Sequence, residues 1–286
     1  MFNKFKFLLV VLLLIFIIFY VNTYVSAYGV KPLNLNIKAE PGERKSFEFE
    51  LTPAGREEIV NLSLFNPTQN LDGSFSYEKV SSEKNPALDW VKFDKNRIVI
   101  PPDREVKIQG EIEIPYDAAG SYVVILMVEP EKREDDVGII MQVRYAVRID
   151  IFVDRPGLRA RGEITEIGIK GDEQMNPVIY TTIKNISNVN LAAASEVTIR
   201  TEDRRLIDRI SLRSAVSKRS GRDYLVIYGD SEVNFEGKVN EPLTAGNYEL
   251  RIFLRYNDGQ QIVKSKKITI GNEYFHPERV KYVEVE

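Results

Sequence analysis

A chain of 286 residues is long enough for two ordinary domains, and its formal net charge of −3 supplies no global basic field for nucleic acid. It has no cysteine, which excludes a disulfide scaffold, thiolate metal sites and a cysteine nucleophile. The single histidine, His276, lies near the C-terminus without a Gly-x-Ser-x-Gly elbow anywhere in the chain, so a Ser-His-Asp triad has no support.

The first element reads as an export signal: Lys4 and Lys6 precede the unbroken apolar run Phe7 to Val21, and Val25-Ser26-Ala27 fits a cleavage site before Tyr28. The run also approaches the length of a spanning helix, so two outcomes stay open: removal of residues 1–27, or their retention as a membrane anchor. Either outcome places the rest of the chain outside the cytoplasm, in the periplasm or at the cell surface.

Beyond the signal the chain alternates with the period of half-buried strands. Leu33, Leu35, Ile37 and Ala39 form the first such set, Phe47, Phe49 and Leu51 the second, and Val60, Leu62 and Leu64 the third. Asn70-Leu71-Asp72-Gly73 is a turn signal, followed by a short strand toward Tyr77 and Val80. Trp90 is expected in the first core, before strands at Ile98 to Ile100 and Val106 to Ile114. Tyr122 to Val128 contains no polar residue, and Ile139 to Val153 returns as a strand of about 15 residues, far beyond the usual five or six. Asp154 to Gly157 marks a domain boundary. A second series follows at Ile164 to Ile169, Val178 to Ile183, Val197 to Ile199, Leu206 to Leu212, Tyr224 to Tyr228, Val233 to Phe235, Tyr248 to Leu254 and Ile262 to Ile270. No 3.6-residue apolar stripe persists, so helices are few.

One pattern occurs twice: Pro115-Tyr116-Asp117-Ala118-Ala119-Gly120-Ser121-Tyr122 and Pro242-Leu243-Thr244-Ala245-Gly246-Asn247-Tyr248. Both resemble the tyrosine corner of immunoglobulin-like sandwiches, which implies an all-β fold of two tandem immunoglobulin-like domains. The expected organisation is a signal over residues 1–27, sandwiches over 28–154 and 158–271, and a tail over 272–286.

Sites for chemistry are sparse. Asp135-Asp136 and Asp172-Glu173 lack the spacing of a calcium loop, and no Gly-rich loop has a phosphate-binding context, so neither an enzyme nor a cofactor is expected. Binding has better candidates. The second face of Tyr122–Val128 must be covered by the rest of the chain or by another polypeptide. The candidate partner-binding residues are therefore Val123, Ile125 and Met127, with Ile140, Gln142, Arg144 and Arg148 on the return strand. A basic stretch from Arg200 to Arg222 offers Arg204, Arg205, Arg209 and Arg213 to an anionic ligand such as a wall glycan, or forms a solvated face. Asn61-Leu62-Ser63 and Asn185-Ile186-Ser187 are sequons.

The run from Asn70-Leu71-Asp72-Gly73 and Tyr77 through Trp90, Ile98 to Pro102 and Pro115 to Gly120, with Lys184 to Asn188 and Ala245 to Tyr248, resembles two groups of envelope proteins. These are the PapD-like periplasmic pilus chaperones and the WxL-interacting surface proteins. The first resemblance implies a chaperone-like or adaptor protein that lends a strand to pilin-like or other secreted polypeptides, with Ile139–Val153 as the strand most like a donor. The second implies a cell-wall-binding surface protein. Pilus chaperones grip a terminal carboxylate with a paired Arg and Lys; Lys31, Arg144 and Arg148 have that chemistry but stand in no matching motif. WxL-interacting proteins usually end in a transmembrane helix, and no second apolar span lies near Glu286.

Overall fold

The computed structural model describes residues 27–79, 84–132, 142–174, 176–241, 243–257 and 259–271. The leader, Val80, Asp135-Asp136, Ile139 to Met141, Pro242 and the tail with His276 lie outside the described residues.

Four sheets build two β-sandwiches. The first contains β1 (Gly29–Lys31), β2 (Asn34–Ala39), β3 (Arg44–Thr52), β4 (Glu58–Gln69) and β5 (Phe75–Glu78). After a one-turn helix, α1 (Ala87–Trp90), come β6 (Val91–Phe93), β7 (Arg97–Ile100), β8 (Val106–Glu113), β9 (Gly120–Pro130) and β10 (Tyr145–Val153). One sheet runs β1-β3-β8-β6 and the other β2-β10-β9-β4-β5, with β7 also on β4. The chain changes sheet early: β1 lies antiparallel to β3, whereas β2, after the cis Lys31–Pro32 peptide, lies parallel to β10.

Alternation decides what enters the core. Phe47, Phe49 and Leu51 of β3 meet Val124, Leu126 and Val128 of β9 and Val147, Ile149 and Ile151 of β10, all buried. Each such side chain contributes roughly 1.5–3 kcal/mol on leaving water. Trp90 is 7% exposed and meets the Tyr122 ring edge-on at 4.5 Å. β9 thus has Trp90 and Tyr122 packed at the end where the first corner begins it.

The second sandwich contains β11 (Gly162–Gly171), β12 (Pro177–Asn185), β13 (Leu191–Thr201), β14 (Leu206–Leu212), helix α2 (Ala215–Ser220), β15 (Leu225–Ile227), β16 (Glu232–Lys238), β17 (Gly246–Tyr256) and β18 (Gln260–Ile270). Its sheets run β11-β12-β16 and β14-β13-β17-β18, with β15 on β13. Both corners form. The Tyr122 hydroxyl returns to the backbone of Ala119 at 3.3 Å, and the Tyr248 hydroxyl donates to the Thr244 carbonyl at 2.8 Å.

Several elements differ from the sequence reading, which contains neither β1, α1 nor β6. β10 begins at Tyr145, so Gln142 to Arg144 lie outside the strand expected there. β13 begins six residues before Val197, over a small-residue run. Part of the basic stretch is the helix α2, which Ser214 caps by accepting from the Ser217 N–H and Gly221 ends at φ 68°.

The sandwiches are joined by more than the linker. On one side the first corner sits on the second sandwich: the Ser121 N–H donates to the Asn188 carbonyl at 2.7 Å, and Asn188 Nδ2 donates to the Ala119 carbonyl at 2.9 Å. Gly120 between them has φ +98°, and a Cβ there would stand 2.4 Å from the Asn188 oxygen, so only glycine fits. On the other side the β4–β5 turn reaches across. Gln69 donates to the Val226 carbonyl at 2.9 Å and accepts from the Tyr228 N–H at 3.0 Å, while Leu71 accepts from the Asn234 N–H at 2.7 Å. Phe75 stacks on Tyr228 with ring centroids 4.8 Å apart.

The outer face of the β3–β8 sheet is a lattice of ion pairs, with Lys31 and Lys107 on Glu50, Lys107 on Glu48, and Lys92 and Arg44 on Glu113. Hydrogen bonds from these lysines hold Glu48, Glu50 and Glu113 below the ordinary glutamate range.

Two predictions follow from this architecture. Replacing Gln69 with Ala leaves two buried backbone groups unpaired and should cost about 1–3 kcal/mol of docking; amide exchange at Tyr228 reads it directly. The lowered glutamates bind fewer protons folded than unfolded. Their stabilisation is therefore present above about pH 5 and lost as the pH falls through the folded-state values. Melting curves between pH 7 and 3 should show this decline, and it should shrink in about 0.5 M salt because these pairs are exposed.

Candidate binding cleft

Where the two sandwiches meet lies a cleft of about 560 Å³. Strand parity supplies its floor. Val147, Ile149, Ile151 and Val153 point into the core, so Arg148, Asp150 and Phe152 point outward, beside Asn36 and Lys38 of β2 and Ser121 of β9. The opposite wall comes from Asn190 and Ala192 at the start of β13, Val226 and Tyr228 around β15, and Asn257 of the β17–β18 turn. Asn257 fixes that wall by accepting from the Ala192 N–H at 2.9 Å and donating to the Asn190 carbonyl at 3.2 Å.

Arg148 Nε lies 2.8 Å from Asp150 Oδ2, and Lys38 Nζ lies 2.9 Å from Asp154. Burial raises the Asp150 carboxyl above the ordinary aspartate range, against the pull of Arg148. Tyr228, 8% exposed, faces this pair; burial and the Asp150 charge push its hydroxyl upward, and the hydroxyl in turn draws the Asp150 carboxyl down.

The sequence candidates separate. Val123, Ile125 and Met127 face away from the first core yet are only 7%, 2% and 8% exposed. They are flanked by Asp150, Arg148 and Ala146 on β10 and, for the latter two, by Phe65 and Ser63 on β4, while Asn85 donates to the Val123 carbonyl at 2.8 Å. β9 is paired along both edges, so its second face is covered from within the chain and it offers no edge. Gln142 and Arg144 are exposed, with Arg144 on Glu129 at 3.0 Å. Ile140 is outside the described residues, and Arg148 alone of the set lines the cleft. Of the second set, Arg209 pairs with Glu196 and Arg213 with Asp223, while Arg204 and Arg205 sit at the β13–β14 tip. The four do not converge on one pocket. Asn185 of the second sequon is fully buried, its amide held by the carbonyls of Val189 and Ile227.

Among the described residues, β10 has an unpaired stretch of edge. The Arg148 N–H donates to the Leu33 carbonyl at 2.9 Å, on the edge of β10 that faces β2. Two residues earlier, Ala146 presents its N–H and C=O to the same edge, beyond the start of β2, with no backbone partner among the described residues. Tyr28 steadies this stretch: its hydroxyl bonds the Val143 carbonyl at 2.9 Å and the Val128 carbonyl at 3.1 Å, and its own carbonyl accepts from Tyr145 at 2.7 Å. In the second sandwich the outer edges of β11 and β16 carry contacts of their own. Lys264 and Lys266 donate to the carbonyls of Ile164 and Ile167 on β11, and Arg213 and Glu236 exchange backbone bonds between β14 and β16.

No protein-family profile matches the sequence, and no curated protein matches it. Solved structures do match. In fold the chain is similar to the PapD-like periplasmic pilus chaperones. The class 5 fimbrial chaperone CfaA matches 84% of this chain and 98% of its own at 12% identity, with a TM-score of 0.45. A structure of the CFA/I chaperone–tip adhesin complex gives the same coverage at 10% identity and 0.47, and the CsuC–CsuE pre-assembly complex of Acinetobacter baumannii gives it at 13% and 0.44.

The Tyr28 clamp yields a direct prediction. Replacing Tyr28 with Phe keeps the ring against Tyr145 but removes the shared hydroxyl bond, which should cost about 1 kcal/mol and speed amide exchange from Val143 to Val147 more than elsewhere in the sandwich.

Proposed function

We propose that this chain is a non-enzymatic, extracytoplasmic polypeptide-binding protein that acts as a chaperone or adaptor for other envelope or secreted polypeptides. The observation that carries this reading is the open edge of β10 at Ala146, which runs directly toward Arg148 and the cleft floor. A guest segment added there in extended form gains main-chain hydrogen bonds from Ala146, while the side chains of the cleft meet its adjoining end. The second sandwich, with Lys264 and Lys266 occupying its β11 edge, supplies the opposite wall of the cleft. The N-terminal apolar run supports export, and pilin-like subunits are the partners that the family resemblance suggests.

Replacing Ala146 with Pro tests this with little effect on the fold, because the lost N–H faces the open edge and the bonds to β9 remain. Cross-linked partners recovered from the envelope fraction should fall at least tenfold with an unchanged melting curve. Equal recovery would exclude strand addition at this edge. Retention of both forms on purified wall polymer at low salt would instead favour glycan binding.

A further inference from the structure

We propose that the outer face of the β14-β13-β17-β18 sheet binds the surface of an anionic phospholipid membrane. Strand parity builds that face. Val197 and Ile199 of β13 and Leu250, Ile252 and Leu254 of β17 fill the core, so Glu196, Thr198 and Arg200 point outward beside Glu249, Arg251, Phe253 and Arg255. Arg209 of β14 stands opposite Thr198, while Val263 and Lys267 of β18 stand opposite Phe253 and Glu249. Five cations, Arg200, Arg209, Arg251, Arg255 and Lys267, therefore share these strands with two outward carboxylates, Glu196 and Glu249. Arg209 takes Glu196 at 3.0 Å, whereas Arg251 and Arg255, both exposed, have no carboxylate partner among the described residues. The outer face of the β3–β8 sheet is the reverse case, its lysines and glutamates matched to one another. In a chain whose net charge is −3, an unmatched basic field confined to one face marks where an anionic partner is drawn.

Three features fit a lipid surface. β13 and β17 are each hydrogen-bonded on both sides, so only side chains are available and a polypeptide gains no main-chain pairing there. The cations are spread over four neighbouring strands, an arrangement that meets a plane of headgroups better than it follows one linear polymer. They also surround an apolar pair: Phe253, with the Arg251 guanidinium 5.8 Å from its ring centroid, and Val263, 41% exposed. A polyanion in water offers nothing to Val263, whereas a headgroup layer over acyl chains takes both kinds of side chain. This face belongs to the other sandwich from Ala146, so the binding does not depend on strand addition.

Co-sedimentation with vesicles tests this on the chain from Tyr28 onward, which keeps both sandwiches whole and omits the apolar leader. In about 0.05 M salt, vesicles of equal parts phosphatidylglycerol and phosphatidylcholine should bind it about tenfold or more tighter than phosphatidylcholine alone, at roughly fivefold per cation at the surface. Arg251→Gln combined with Arg255→Gln should lose about tenfold or more of that affinity at an unchanged melting temperature. Lys92→Gln combined with Lys107→Gln makes the same change in net charge on the matched face of the first sandwich and should bind as the native chain does. Val263→Ser should weaken binding several-fold, and Ala146→Pro should leave it unchanged. Native binding by the Arg251/Arg255 variant, or equal binding to phosphatidylcholine alone, would overturn the proposal. Vesicle binding indifferent to Val263→Ser, with soluble inorganic polyphosphate held as tightly through the same two arginines, would assign the face to a polyanion and overturn the lipid surface.

Discussion

The cleft depends on hydrogen bonds that cross between the two sandwiches. Apolar contacts alone tolerate sliding, because they have little directional preference, whereas backbone groups that bond across a joint fix both its angle and its register. Here such bonds occur on both sides of the cleft: Ser121 to Asn188 on one, and Gln69, Leu71 and their partners Val226, Tyr228 and Asn234 on the other. A hinge held at two separated points has lost its freedom. The cleft is therefore a preformed feature, and a guest that enters it meets side chains already in place.

That rigidity gives meaning to the contrast between the two sandwiches. In the second, lysine side chains occupy the β11 edge and a backbone bridge joins Arg213 to Glu236, contacts that guard a β-protein against unwanted pairing. Among the described residues, the first leaves Ala146 of β10 without a backbone partner on one edge, beside Tyr28 and Tyr145.

The parts of this structure legible in the sequence are those with local signatures. Alternation located most strands, and the two Pro…Ala-Gly-x-Tyr patterns located both corners because a turn, a glycine and a tyrosine must fall at fixed spacing for the hydroxyl to reach back. Other parts have no local signature. Gln69 bonds backbone groups 157 and 159 positions away, and nothing in its neighbours marks it as a strut. The Leu191–Ser195 part of β13 is mostly small residues, whose weak strand preference hides a strand set by its partners β15 and β17. The apolar run after Tyr122 revealed that two faces needed cover but not what supplied it. Strand parity turns Arg148 outward, and only the docking of the second sandwich makes that side chain part of a cleft.

Tyr28, just before β1, bonds to carbonyls 100 and 115 positions later. Such a contact cannot form until the whole first sandwich has emerged, and the parallel pairing of β2 with β10 shares that long sequence separation. Folds that close last at their own first residues are slow to complete, since loop-closure entropy must be met before the contacts reward it. The stretch around Tyr28 is therefore among the last parts of the first sandwich to be fixed, after β9 and β10 have met.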